Sequence, residues 1–187
     1  MRNERTMKIT MSGLLIAIGI IIPMFSPVRV ILEPASFTLA SHVAIFIAMF
    51  ISPAVAVAVA AGTTIGFFFG GFPLVVVLRA ATHIIFAFAG ALYLQKISHE
   101  KLSAVHLRIF SFCVAVIHAV AEFTIVTIFY LGGNLSALHH EQGFLMSVLL
   151  LVGVGSVIHS MIDFEIAYII LFPLRKQRHL AGYFVKN

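Results

Sequence analysis

Residues 74–95 read LVVVLRAATHIIFAFAGALYLQ, an apolar run interrupted by one cation, Arg79, and one imidazole, His83. A helix needs about 20 mostly apolar residues to cross the hydrocarbon of a bilayer, and this run has that length and character. Five further runs of the same kind flank it. The spans are expected over 7–25, 38–51, 54–69, 74–95, 104–131 and 143–172, with short loops and no soluble domain attached. Composition agrees: 61% of the 187 residues are hydrophobic, 10% are charged and the mean hydropathy is +1.09. A soluble domain is closer to half apolar and a quarter charged. The expected fold is therefore all-α, a polytopic bundle of six transmembrane helices forming a single domain.

The breaks between spans are written in helix-terminating residues. Pro23 and Pro27 stop the first span, and Gly70-Gly71-Phe72-Pro73 is the clearest turn. Ser52-Pro53 divides the second span from the third. One kinked helix is the alternative there, but a continuous helix over 38–69 would far exceed the thickness of a bilayer. Two long polar loops remain, 26–37 with Arg29, Glu33 and Pro34, and 132–142.

Charge orients the bundle. With both termini in the cytoplasm, Arg2, Arg5, Lys8, Lys96, Lys101, Arg108, Arg175, Lys176, Arg178 and Lys186 all lie inside. Only Arg29, in an outer loop, and Arg79, within a span, remain of the 12 cations. Cytoplasmic loops carry such an excess of Lys and Arg. The net charge of +5 shows no basic stripe interleaved with aromatics, so nucleic acid is not an expected partner. The N-terminal segment resembles a signal peptide in its basic start, yet Ser26-Pro27-Val28 is no cleavage site, and a retained first helix is expected. Cys113, the single cysteine, lies in an apolar run and reads as a small packing residue.

Several chemistries have no signature. There is no G-x-x-x-x-G-K-[ST] phosphate loop, so the chain has no evident ATPase of its own, and no H-E-x-x-H motif. Gly153-Val154-Gly155-Ser156 lacks the context of a nucleophile elbow, and glycines on a membrane helix serve packing. A transport subunit is expected rather than an enzyme.

Ionisable groups within spans are expensive and mark function. Counted from the outer ends of their helices, Arg79 lies roughly 9 Å deep and Glu122 roughly 13–14 Å deep at 1.5 Å per residue. The two are expected either to pair or to grip opposite ends of a polar ligand. His83 lies one turn below Arg79, and His118 one turn from Glu122. Arg79 suits a carboxylate, and Glu122 suits hydroxyl, amide or ring N–H donors. Asn134 and His140 in one outer loop, and Glu33 in the other, are candidates to line or cover the pocket. His42 is expected at the start of the second span, near the outer surface.

Two pairs, His118-x-x-x-Glu122 and His159-x-x-x-Asp163, place possible metal ligands on one helix face. Span counting puts them at different depths, with Asp163 and Glu165 near the cytoplasmic end. No shared metal site is expected, and the two later acids read as interfacial. In the first span, Gly13 and Ala17 make a small-x-x-x-small step that admits another helix closely.

Three stretches carry a family resemblance: Ser12–Gly19 (SGLLIAIG), Pro34–Ala48 (PASFTLASHVAIFIA) and Gly66–Arg79 (GFFFGGFPLVVVLR). Together with the helix count, they make nearly the whole chain resemble the substrate-binding S component of an energy-coupling factor (ECF) vitamin transporter. That resemblance implies a substrate site on the outer side, in the region of Arg79, Glu122 and Asn134. It implies docking through Gly13 and Ala17, where the family has two alanines, onto a transmembrane coupling subunit. It further implies two ATPase subunits that use the ATP, no cofactor bound by this chain, and residence in a bacterial cell membrane. Substrate would cross as the S component topples in the bilayer. Pantothenate is the first expectation for the vitamin, with niacin, hydroxymethylpyrimidine or a pyridoxine-like vitamin as alternatives. A proton-coupled secondary transporter using Glu122, His118 and His83, and a metal-binding membrane protein or intramembrane enzyme, are the competing functions.

Overall fold

The structure is a computed structural model that describes residues 2–32, 35–97, 103–135 and 137–176. It opens on α1 (Arg2–Phe25), followed by an antiparallel hairpin of β1 (Arg29–Leu32) and β2 (Ala35–Thr38), with Arg29 opposite Thr38. Then come α2 (Val43–Met49), α3 (Pro53–Phe69), α4 (Leu74–Lys96) and α5 (Ala104–Leu131). The described residues end on α6 (Ala137–Phe144), a π-helical segment Leu145–Val154, and α7 (Gly155–Lys176).

Among the described residues, four stretches are long and apolar enough to cross a membrane: Glu4–Phe25, Leu74–Lys96, Ala104–Leu131 and Glu141–Leu174. The shorter α3 is equally apolar. Large apolar side chains such as Leu14, Ile65, Phe88, Ile109, Val120 and Ile158 point outward, as a surface bathed in lipid tails allows. Ser52 and Pro53 start α3 because Ser accepts the Val55 N–H (3.3 Å) and Pro needs no partner in the first turn. Ser103 caps α5 in the same way through the His106 N–H. Gly71 closes the α3–α4 turn at φ 75°, a left-handed backbone that glycine adopts without strain.

Two expectations are corrected. Residues 38–51 do not form a span: α2 has 7 residues, all of them buried. At 1.5 Å per residue it is roughly 10 Å long. The preceding residues instead complete β2 and a tight turn in which Ala40 has a φ of 68°. α2 is an interior plug ringed by α1, α3, α4 and α7. The fold is also not purely helical, because residues expected to be a loop form the β1–β2 hairpin.

α1 and α3 approach closely along small residues. A Cβ on Gly19 would strike Thr63, and one on Gly62 or Gly66 would strike Ile16 or Ile20. That close approach supplies the dispersion contacts on which helix association in lipid depends. The deep core joins Phe46 and Phe50 to Phe86, Leu94, Phe110 and Phe164. Phe46 meets Phe164 edge-on at 5.3 Å and Phe86 at 5.6 Å. His42 lies one turn before Phe46, so the polar cluster sits directly on this aromatic floor.

Candidate functional site

Arg79 on α4 faces Glu122 on α5 across the bundle. Nε donates to Oε1 at 3.1 Å and Nη2 to Oε2 at 3.0 Å, a bidentate fork on a carboxylate. Both side chains are buried, at 5% and 3% exposure. A lone charge in this interior would cost several kcal/mol, and the pair exists because each desolvated ion satisfies the other. The Ser156 hydroxyl of α7 also donates to Glu122 Oε2, at 2.6 Å. His83 Nε2 and His118 Nε2 each lie 3.4 Å from Oε1. Glu122 is thus the hub of three helices.

A second carboxylate lies close by. Asp163 of α7, wholly buried, accepts the backbone N–H of Ala40 (2.7 Å) and of His42 (2.9 Å). Its Oδ2 also lies 3.0 Å from His42 Nδ1 and accepts from the Ser41 hydroxyl at 3.3 Å. The left-handed turn at Ala40 is therefore pinned by a residue from the far end of the chain. Phe37 of β2 packs on the ring of His159 (5.3 Å) and fills the space beside Gly155, where a Cβ would collide with it.

The two carboxylate clusters meet through imidazoles. The His42 ring centroid is 4.7 Å from that of His83, 4.7 Å from His118 and 5.0 Å from His159. A cavity of ≈ 60 Å³ opens beside them, room for several waters or a small planar solute. Arg79, Glu122, His42, His83, Ser41 and His159 form its polar wall. Ile45, Phe67, Phe72 and Val76 form the apolar one, with Phe67 and Phe72 stacked at 4.6 Å. The cavity thus combines a charged fork and imidazoles with aromatic and aliphatic side chains, a mix typical of small-molecule sites.

Of the residues expected from sequence, Arg79, Glu122, His83 and His118 come together. Asn134 does not join them: it is exposed after α5, and its Nδ2 donates to Gly132 O (3.1 Å) in its own turn. Glu33 and the side chain of His140 lie outside the described residues. Three readings of later residues are corrected. His42 is not at the surface but at the centre of the cluster. Asp163 is not interfacial, whereas Glu165 is exposed. The two His-x-x-x-acid pairs converge instead of lying at separate depths.

For His42 the physical reason is that residues 38–51 form a turn and a short interior helix instead of a span; for Asp163 it is the π segment. Its i→i+5 bonding packs more residues into each turn, so counting 1.5 Å per residue from residue 143 overshoots along the axis. Gly143, at φ 77° and ψ 161°, adds a break at the start. Ser156 gave no sequence signal, because an uncharged hydroxyl on a membrane helix is ordinary.

Comparison with known proteins then gives one strong relationship. The chain is 39% identical over 166 residues to the niacin transporter NiaX of Lactococcus lactis subsp. cremoris (strain MG1363), covering 89% of this chain and 73% of that protein. No family model matches the chain, and no solved structure matches it significantly. Identity at this level over most of both sequences, together with several membrane-length apolar helices, makes this a multi-pass protein of a bacterial cell membrane. The chain belongs to the NiaX family of membrane transporters.

Proposed function

We propose that the chain is the niacin-binding S component of an ECF-type importer, with Arg79 as the grip for the vitamin carboxylate. The observation that carries this reading is the buried Arg79–Glu122 fork at the edge of a small, partly aromatic cavity. Niacin is a single flat ring with one carboxylate. Such a ring can lie against the aromatic lining of the cavity, which the long, branched pantothenate first expected from sequence cannot do. The name of the lactococcal relative points the same way. In this reading the ligand carboxylate takes one arm of the guanidinium, and Glu122 stays held by Ser156 and the remaining arm. The ring lies against Phe67 and Phe72. Ser41 and His159 offer hydrogen bonds to the pyridine nitrogen.

The energising machinery lies elsewhere in this proposal. The chain has no phosphate loop, and a coupling subunit with two ATPase subunits supplies the power. Gly13 and Ala17 are both exposed on α1, and a Cβ at Gly13 would meet nothing within 4 Å. That leaves the small-residue step available to a partner helix, while Leu15, Gly19 and Ile20 serve the contact with the rest of the bundle. The excess of Lys and Arg near the chain's ends supports an orientation with both termini in the cytoplasm and the hairpin side outside.

The test is mass spectrometry of the small molecule that copurifies with the detergent-solubilised chain, paired with uptake in proteoliposomes. Niacin is expected to copurify, and the chain alone should give no uptake until coupling and ATPase subunits and ATP are added. Uptake driven by a pH gradient through the chain alone would establish the proton-coupled alternative. Copurified pantothenate would overturn the niacin assignment.

A further inference from the structure

We propose that His42, His83 and His118 form a tripod that binds one divalent transition-metal ion at the floor of the cavity, a site beyond the transport reading above. Three observations converge on it. First, one ring nitrogen from each of the three lies within 4.8 Å of the others, and all three residues are buried. Their rings stand edge-on to one another, at 70°, 64° and 84°. Mutually inclined rings let three nitrogen lone pairs converge, whereas stacked rings do not. Metal–nitrogen bonds of about 2.0–2.1 Å in a tetrahedron bring ligand nitrogens to roughly 3.3–3.5 Å apart, so ring rotations of about an ångström complete the site.

Second, His42 is prepared as a ligand. Its Nδ1 is held by Asp163 Oδ2 at 3.0 Å, the carboxylate–histidine arrangement that fixes the tautomer and raises ligand basicity. That leaves Nε2 for the tripod. Third, His118 is 1% exposed, and neither of its ring nitrogens makes a hydrogen bond. Nε2 lies 3.4 Å from Glu122 Oε1 without hydrogen-bond geometry. A buried polar group left in that state costs about 1–3 kcal/mol, and coordination removes the cost.

Charge supports the same ion. Arg79 is one cation against two buried carboxylates, Glu122 and Asp163. Three imidazoles select zinc, cobalt or nickel over magnesium or calcium, which prefer all-oxygen sites. Two of the three ligands, His42 and His83, also line the cavity.

The experiment uses the full chain in detergent, stripped with a chelator and titrated with Co²⁺ alone, then with Zn²⁺ as competitor. The readout is ligand-field absorption, with no vitamin present. One Co²⁺ per chain is expected, displaced by Zn²⁺. His118→Gln and His83→Gln should each weaken binding on the order of 100-fold or more. Asp163→Asn should weaken it roughly 10–100-fold, as expected for a group acting through its ligand. His106→Gln is the control: that residue hydrogen-bonds Tyr93 away from the cluster, and its loss should change nothing. Size-exclusion profile and helical circular dichroism check that each variant is folded. Absence of a saturable Co²⁺ signal in the unmodified chain overturns the proposal irrespective of any variant. So does a signal that survives His118→Gln and disappears in His159→Gln, which would move the ion to the neighbouring group of His42, His159 and Asp163.

Discussion

Glu122 and Asp163 are both buried carboxylates one turn beyond a histidine, yet they are held in opposite ways. Every named partner of Glu122 is a side chain: Arg79, Ser156, His83 and His118. Asp163 grips main chain, the N–H groups of Ala40 and His42, as well as Ser41 and the His42 ring. Side-chain partners can swing to a ligand and return, because each has rotamers to spare. Backbone partners cannot move without moving the turn that contains them. In the proposed function the first carboxylate exchanges partners with a ligand, whereas the second ties the turn before α2 to α7.

The contrast breaks most sharply at Arg79. Replacing it with alanine should abolish niacin binding, but it also strands Glu122 in the interior, at about 3–5 kcal/mol. The double change Arg79→Ala/Glu122→Gln removes both charges and should restore most of the lost stability without restoring binding. Isothermal titration calorimetry and thermal unfolding of the purified chain read the two effects separately. Affinity in the double variant equal to that of the unmodified chain would remove Arg79 from the site.

At Asp163 the order of effects reverses. Asp163→Ala leaves two backbone N–H groups without their acceptor, a loss of about 1–3 kcal/mol for each. A clear fall in thermal stability is expected, with faster proteolysis of the hairpin, and a smaller change in niacin affinity than Arg79→Ala gives. A variant as stable as the parent would show that the turn at Ala40 holds by itself. Ser156→Ala should be milder, because Glu122 keeps Arg79. Loss of one hydrogen bond to a charged group predicts a change of about 1.5–3 kcal/mol shared between stability and ligand affinity. The smallest effect on binding belongs to Ala17→Trp on α1, far from both carboxylates. Niacin affinity should be unchanged while ATP-dependent uptake with partner subunits is lost, and persisting uptake would displace the docking surface.

The long spans were legible because hydropathy reports what a lipid-facing helix must satisfy. Residues 74–95 and 104–131 correspond to α4 and α5 almost residue for residue. The second span failed for the same reason. Seven residues buried inside protein have the composition of seven residues buried in lipid, and hydropathy does not separate the two environments. The turn that shortens α2 depends on Asp163, more than a hundred residues away, so no local pattern announces it.

In the site, Arg79 and Glu122 stood out because charges in apolar runs are costly wherever they sit. His159 and Asp163 were misplaced because depth was counted along an ideal helix, while the chain winds through a π segment first; His42 was misplaced because residues 38–51 form a turn and a short interior helix instead of a span. The pairing of Glu122 with Ser156 lies between two helices and leaves no mark on either sequence.

The most direct test is equilibrium binding of labelled niacin to the purified chain, with nicotinamide and pantothenate as competitors. The carboxylate fork predicts saturable binding of one niacin per chain, with nicotinamide weaker by a factor on the order of 100, the equivalent of a lost charged contact of about 3 kcal/mol. Pantothenate, which has no flat ring to set against Phe67 and Phe72, should compete poorly. Nicotinamide binding as tightly as niacin, or pantothenate displacing it at equal concentration, would contradict the account.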